Sequence, residues 1–89
     1  MKFKYGQVVK CIAVPDGEYS LLGKTGIIRE STGDEIEEPW YGVEFEDWNE
    51  GHYLDDDETG QILDVDSGWN CPEHTLTASL EIINIEEII

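Results

Sequence analysis

The stretch that decides the fold is WYGVEF, residues 40–45. In an extended chain successive side chains point to opposite faces, so Tyr41, Val43 and Phe45 lie on one face. Aromatic and β-branched residues with this two-residue period are typical of a strand that buries one face. We therefore predict a strand over residues 40–45 whose odd-numbered side chains enter a hydrophobic core.

Shorter apolar segments on both sides of this strand predict four more strands. Turns rich in glycine, proline and acidic residues separate them, and no window of about 11 or more residues has the period of a helix. We also predict a long acidic loop over residues 47–60, a turn at residues 67–68 and one helical turn at residues 72–74. The four further strand segments are residues 7–14, 27–29, 61–65 and 75–83.

The length of 89 residues predicts a single domain, residues 1–89. Five short strands at this length favour an all-β fold of the small-barrel type, because a barrel leaves no exposed strand edge. We place the barrel at about residues 6–83 and an apolar tail at residues 84–89. The tail either extends the last strand or pairs with a second copy, so a monomer and a dimer both stay open.

The charge is strongly segregated along the chain. Residues 30–89 hold 19 of the 21 acidic residues and none of the five basic ones, and the formal net charge is -16 at pH 7. Such a field repels nucleic acid and anionic membranes and attracts basic protein surfaces. We therefore expect a basic partner protein, with no direct binding to nucleic acid and no membrane association.

The first residues, the apolar stretches and the cysteines together predict the cellular compartment of the protein. The first residues contain no apolar signal segment, and no stretch approaches the roughly 18 apolar residues of a membrane span. Cys11 and Cys71 lie far apart in sequence and do not form the dense framework of a secreted protein. We therefore expect reduced thiols and a cytoplasmic protein.

Five short motifs follow one another along roughly residues 6–80: GQVV (6–9), LGKTGII (22–28), YGVEF (41–45), GHYL (51–54) and GW (68–69). Together they resemble the small Src-homology-3-like barrel proteins of bacteria and their phages. The resemblance implies a five-stranded Src-homology-3-like barrel, here with a long acidic loop. It implies a fold and not an activity, because such barrels bind proteins, peptides or nucleic acids. The acidity of this chain departs from the members that bind nucleic acid.

The acidic surface is the first candidate site. Residues two apart on a strand stand about 6.6 to 6.8 Å apart, so Glu44 and Glu46 would place carboxylates at a step comparable to that of successive phosphates. We predict a phage-encoded, DNA-mimicking inhibitor of a nucleic-acid-binding host defence or DNA-processing protein. It is similar in size and charge alone to anti-restriction, anti-CRISPR and glycosylase-inhibitor proteins. The predicted partner-binding residues are Asp34, Glu35, Glu37, Glu38, Trp40, Glu44, Glu46, Asp47, Trp48, Glu50, Tyr53, Asp55, Asp56, Asp57 and Glu58.

Two other interpretations of the same residues stay open. In one, a peptide or partner subunit binds in an aromatic groove formed by Trp40, Tyr41, Trp48 and Tyr53. The acidic side chains then bind the Arg or Lys side chains of that ligand. In the other, the acids form a solvated face that keeps the protein soluble, and the aromatic side chains lie in the core.

A calcium loop is a weaker candidate within residues 55–66. Oxygen ligands, a glycine and an isoleucine stand at EF-hand spacing, but position 12 is Asp66 instead of the bidentate Glu. Neither flank is helical in pattern, so an acidic β-turn is favoured. The ligands of such a loop would be Asp55, Asp57, Thr59, Gln61 and Asp66.

The sequence gives little support for a zinc site or for a catalytic site. Cys11, His52, Cys71 and His74 are ligand types for zinc, but they lack the close pairing of structural sites. We interpret Cys11 as a buried small hydrophobic residue and His74 as a surface or capping residue. No nucleophile has a recognisable base beside it, and the phosphate-loop spacing is absent. We therefore expect a non-enzymatic protein without a cofactor.

Overall fold

The computed structural model describes residues 2–32 and 38–80, and over these residues the protein is all-β, as predicted. Its helical segments there are two short 3-10 helices, Tyr19–Leu21 and Glu73–Thr75. No helix in this part of the chain is long and apolar enough to cross a membrane. The strands are β1 (Val8–Cys11), β2 (Thr25–Thr32), β3 (Trp40–Phe45), β4 (His52–Asp55), β5 (Ile62–Pro72) and β6 (Leu76–Ala78).

The described strands form one antiparallel sheet in the order β4-β5-β3-β2-β1-β6. This sheet has six strands where five were predicted. The added strand, β4, lies within the predicted acidic loop over residues 47–60, so that prediction was wrong for residues 52–55. Strands β4 and β6 stand at opposite ends of the sheet.

Strand β3 lies between β2 and β5 and matches the predicted strand residue for residue. Tyr41, Val43 and Phe45 are buried, which confirms the predicted core face. The ring of Phe3 packs edge-on against Tyr41, with 5.3 Å between the ring centroids. The buried cluster comprises Phe3, Val9, Cys11, Leu21, Ile28, Tyr41, Val43, Phe45, Trp48, Cys71 and Leu76.

The other predicted elements differ mainly in length. The 3-10 helix Glu73–Thr75 confirms the predicted helical turn, shifted by one residue. Strand β2 is longer than predicted, whereas β1 and β6 are shorter. The apolar tail, residues 84–89, and the end of the last predicted strand lie outside the described residues.

Residues 52–66, which we call the acidic hairpin, comprise β4, the following turn and the first half of β5. Besides its partner β5, β4 contacts β2 and β3. The backbone N–H of Asp57 donates to the carbonyl of Arg29 at 2.9 Å, and Asp57 Oδ2 accepts the N–H of Ser31 at 2.9 Å. The acidic hairpin is thereby fixed against β2.

Gly68 explains why the predicted turn at residues 67–68 was wrong. This glycine lies inside β5 and pairs with Glu44 on one side and His52 on the other. A Cβ atom at Gly68 would stand 2.5 Å from the His52 carbonyl oxygen and 2.5 Å from Leu54 Cγ. The glycine is therefore required by the close approach of β4, and not by a turn.

Candidate functional site

Arg29 holds a buried ion pair beneath the acidic hairpin. Its Nε donates to Glu44 Oε1 at 2.9 Å, and the two side chains are 9% and 7% exposed. Arg29 stands where the pairing of β2 with β3 shifts between Ile28 and Glu30, and such an irregularity redirects a side chain. Glu44 was predicted on the partner-binding surface. That prediction was wrong, because Glu44 is ion-paired inside the protein.

Asp56 was also predicted on the surface and is buried, with 4% of its area exposed. Its Oδ2 accepts the Tyr5 hydroxyl at 2.7 Å, and its Oδ1 accepts the N–H groups of Glu58 at 2.9 Å and Thr59 at 3.0 Å. Burial by itself would raise the pKa of Asp56. These hydrogen bonds and the charge of Arg29 outweigh burial and hold that pKa below its ordinary value.

The predicted aromatic groove is not formed, because Tyr41 and Trp48 are buried. The Trp48 ring packs edge-on against Phe45 and Trp69, and its indole N–H donates to Ser20 Oγ at 2.8 Å. The Tyr41 hydroxyl donates to Glu73 Oε2 at 2.6 Å. The interpretation that placed the aromatic side chains in the core holds for these two residues. Trp40 and Tyr53 are exposed, at 37% and 60%.

The remaining predicted carboxylates divide by position. Glu46 is half-buried and interacts with other groups within the protein. Asp34, Glu35 and Glu37 lie outside the described residues. The exposed members of the predicted set are Glu38, Asp47, Glu50, Asp55, Asp57 and Glu58.

An open pocket of about 360 Å³ lies where the acidic hairpin meets the sheet. Strand pairing places Glu30 of β2 and Asn70 of β5 opposite Gly42, one on each side. A Cβ atom at Gly42 would stand 2.7 Å from Glu30 Oε1 and 3.1 Å from Leu54 Cδ2, so the missing side chain leaves room for both. The residues that line the pocket are Glu30, His52, Tyr53, Leu54, Asp55 and Asn70.

Negative charge is concentrated at this pocket. Burial, together with the charges of Asp55 and Asp57, raises the pKa of Glu30, and His52 partly opposes them. Among the residues that line the pocket none is a Lys or Arg. The pocket is therefore built to favour a positively charged group.

The sequence located only part of this pocket. Asp55 and Tyr53 were predicted as partner-binding residues, and His52 was named only as an isolated zinc ligand type. Glu30 and Asn70 were not identified. The signal that could have found them is Gly42, since a glycine at an outward position of a central strand marks a place where another group approaches closely.

The predicted calcium residues belong to a β-hairpin. Asp55 ends β4, Asp66 lies in β5, and Asp56 between the predicted ligands points to Tyr5. Across the described ranges, no three His, Cys, Asp or Glu side chains converge in a way that could hold a metal ion. The residues that the structure describes therefore give no support to a calcium loop, and the favoured acidic turn is what connects β4 with β5.

The four candidate zinc residues do not form one cluster within the described residues, although Cys11 lies close enough to Cys71 to contribute to its raised pKa. Cys11 and Cys71 are buried free thiols, as predicted for Cys11, and burial raises the pKa of both. The ring of His52 lies 5.3 Å from that of Trp69. His74 is exposed, and both its backbone N–H and its Nδ1 lie 2.8 Å from Glu38 carboxylate oxygens. This arrangement agrees with the surface role predicted for His74.

Comparison with known proteins assigns neither a family nor a function to this chain. No protein-family model matches the chain, and neither a curated protein nor a solved structure is significantly similar to it.

Proposed function

We propose that this protein is a non-enzymatic inhibitor whose acidic face occupies the nucleic-acid-binding cleft of a basic protein. The observation that carries the proposal is an open pocket lined by Glu30 and Asp55, with Asp57 close enough for its charge to act on Glu30 and without a Lys or Arg among the lining residues. Exposed Glu58 continues this charge along the acidic hairpin. A partner that binds nucleic acid offers the Lys and Arg side chains that such a face attracts.

The chemistry of the proposed complex is electrostatic. A formal net charge of -16 steers a basic partner toward the protein, and exposed carboxylates replace the phosphates of the partner's usual ligand. The class of partner is a host defence or DNA-processing protein, and the inhibitor is of the phage-encoded kind that works in the host cytoplasm. Both a monomer and a dimer are compatible with this role.

We further propose that the fold is a Src-homology-3-like barrel with one added strand. Five strands, β1, β2, β3, β5 and β6, support this assignment, because they pair in chain order except that β6 returns beside β1. The 3-10 helix Glu73–Thr75 stands directly before β6. In this interpretation β4 is the addition, and it converts the predicted acidic loop into the acidic hairpin that carries the site.

The test begins with capture. The protein is immobilised, exposed to bacterial lysate at low salt and eluted with duplex DNA, and the eluted proteins are identified by mass spectrometry. Each eluted protein is then purified, and its Kd for the wild-type protein is measured at increasing salt. We expect a nucleic-acid-binding protein whose affinity falls steeply with salt and is competed by duplex DNA.

Two charge-matched variants locate the contact. Asp55→Asn with Glu58→Gln removes two exposed charges from the acidic hairpin, and the control, Asp16→Asn with Glu18→Gln, removes one exposed and one half-buried charge from the N-terminal part of the chain. The first variant is expected to weaken partner binding about tenfold and to reduce its salt dependence, the second to change it by less than about twofold. Equal losses in the two variants, or a partner that DNA does not displace, would contradict the proposal.

A further inference from the structure

The pocket at Gly42 is more specific than a charged surface needs to be. Its volume of about 360 Å³ is near the lower end of the range for small-ligand pockets, which is room for one long side chain. Its lining residues are chemically mixed: Glu30 and Asp55 are acidic, Asn70 carries an amide, His52 and Tyr53 are aromatic, and Leu54 is apolar. Each of these groups has a different kind of interaction to offer.

We propose that this pocket receives one arginine side chain of the partner protein. The proposal rests on the proposed function for the partner being basic, and it adds the group that is recognised. A guanidinium is planar and donates in a fork, so it can serve two acceptor groups at once. Glu30, Asp55 and the Asn70 amide oxygen are acceptors of that kind around one recess.

The aromatic part of the wall favours arginine over lysine. Leu54 is 2% exposed, so it adds only a small apolar patch to the recess, and the methylene stem of either cation could contact it. The Tyr53 side chain is 60% exposed at the rim, and a guanidinium stacks on an aromatic ring better than an ammonium does. A lysine would supply charge without the planar fork or the stacking surface.

The charges around Glu30 give the proposal a second readout. Asp55 and Asp57 lie near this carboxyl and His52 opposes them, while Asn70 and Leu54 carry no charge. The raised pKa of Glu30 reflects burial and this repulsion. A bound guanidinium favours the charged carboxylate, so the Glu30 pKa is expected to fall on binding, and binding should weaken as the pH drops through the Glu30 pKa.

The experiment is an NMR titration of the full chain with Nα-acetyl-L-arginine amide at millimolar concentrations. Nα-acetyl-L-lysine amide and the uncharged citrulline analogue serve as matched probes. We expect saturable shifts at the backbone amides of Asp55 and Asn70 with the arginine probe, about tenfold weaker binding with the lysine probe, and none with citrulline. The side-chain carboxyl signal of Glu30, followed against pH, should show a lower pKa when the arginine probe is bound.

Two variants and one control complete the test. Glu30→Gln and Asp55→Asn should each weaken the arginine probe about tenfold, and Asp16→Asn should leave its binding unchanged. No saturable shifts at the pocket, or equal binding of the lysine probe, would overturn the proposal. A DNA-displaced partner that binds Glu30→Gln as well as wild type would overturn it while leaving the proposed function standing. Saturable binding of the arginine probe at the pocket, without any partner that DNA displaces, would overturn the proposed function and leave the arginine site standing.

Discussion

Two sets of carboxylates meet at the acidic hairpin, and they have opposite surroundings. Glu44 and Asp56 are buried around Arg29, whereas Asp55 and Asp57 are exposed beside Glu30. The contrast divides direct neighbours in sequence, since Asp56 stands between the two exposed residues. The same kind of side chain is thus enclosed by donors in one set and presents its charge to solvent in the other.

The difference follows from the supply of donors. Arg29 is the last basic residue in the chain, and burial of a carboxylate requires a cation or several hydrogen bonds. Glu44 has Arg29, while Asp56 has the Tyr5 hydroxyl, two backbone N–H groups and the field of Arg29. Two other carboxylates of the acidic hairpin are exposed: Asp57 keeps the Ser31 N–H as a donor, and Asp55 faces water at the pocket.

Replacing Arg29 with Ala should give the largest effect on stability. It leaves Glu44 buried without its cation and removes the charge that favours ionised Asp56, so we expect a loss of about 3 to 5 kcal/mol in the free energy of unfolding. Urea unfolding followed by tryptophan fluorescence measures it, because Trp48 lies in the core.

The control for that prediction removes both partners of the ion pair. Arg29→Met with Glu44→Leu replaces two buried charges by apolar side chains of similar size, so the double variant should recover much of the stability lost in Arg29→Ala. If Arg29→Ala costs less than about 1 kcal/mol, Glu44 is not held by a buried ion pair, and the division between the two sets of carboxylates fails.

Asp56→Ala compared with Asp55→Ala should give the next largest effect. The first change removes the hydrogen-bond acceptor of the Tyr5 hydroxyl and of the N–H groups of Glu58 and Thr59. We expect it to lower the free energy of unfolding by about 2 kcal/mol. The second removes an exposed carboxylate, and a change within about 0.5 kcal/mol is expected. Urea midpoints for the two variants measure the difference, and equal midpoints would contradict the assignment of separate roles to these adjacent residues.

The sequence was sufficient for the elements whose signal is local. The two-residue period of WYGVEF placed β3 and its core face, and Pro72 at the start of a turn placed the 3-10 helix that follows. The all-β class followed from the absence of any helical period. These predictions succeeded because each depends on neighbours within a few residues.

The acidic hairpin was not predictable in the same way. Acidic residues and Gly60 favour a loop locally, whereas β4 is held by distant contacts: Leu54 against Gly42 and Gly68, and the Asp57 N–H on the Arg29 carbonyl. Tertiary contacts of this kind override local propensity. For the same reason Glu44 and Asp56 could not be distinguished from surface acids, since their partners Arg29 and Tyr5 lie far away in the chain.

Glu30→Gln should have the smallest effect, and its dependence on pH sharpens the contrast with Asp56. The folded protein raises the Glu30 pKa above its ordinary value of 4.5, so the charged form destabilises the fold at neutral pH. Glu30→Gln should therefore stabilise the protein at pH 7, by less than about 1 kcal/mol because the group is partly solvated. That gain should shrink as the pH falls through the raised pKa and vanish below the ordinary one.

Asp56 should show the opposite dependence on pH, because its pKa is lowered. Its stabilising contribution is complete above its ordinary value of 3.8 and is lost as the pH falls through the lowered value. Urea midpoints of wild type, Glu30→Gln and Asp56→Ala between neutral and acidic pH measure both trends. A Glu30→Gln difference that stays constant with pH would mean that burial and the charges of Asp55 and Asp57 do not raise the Glu30 pKa, and would contradict a pocket with concentrated negative charge.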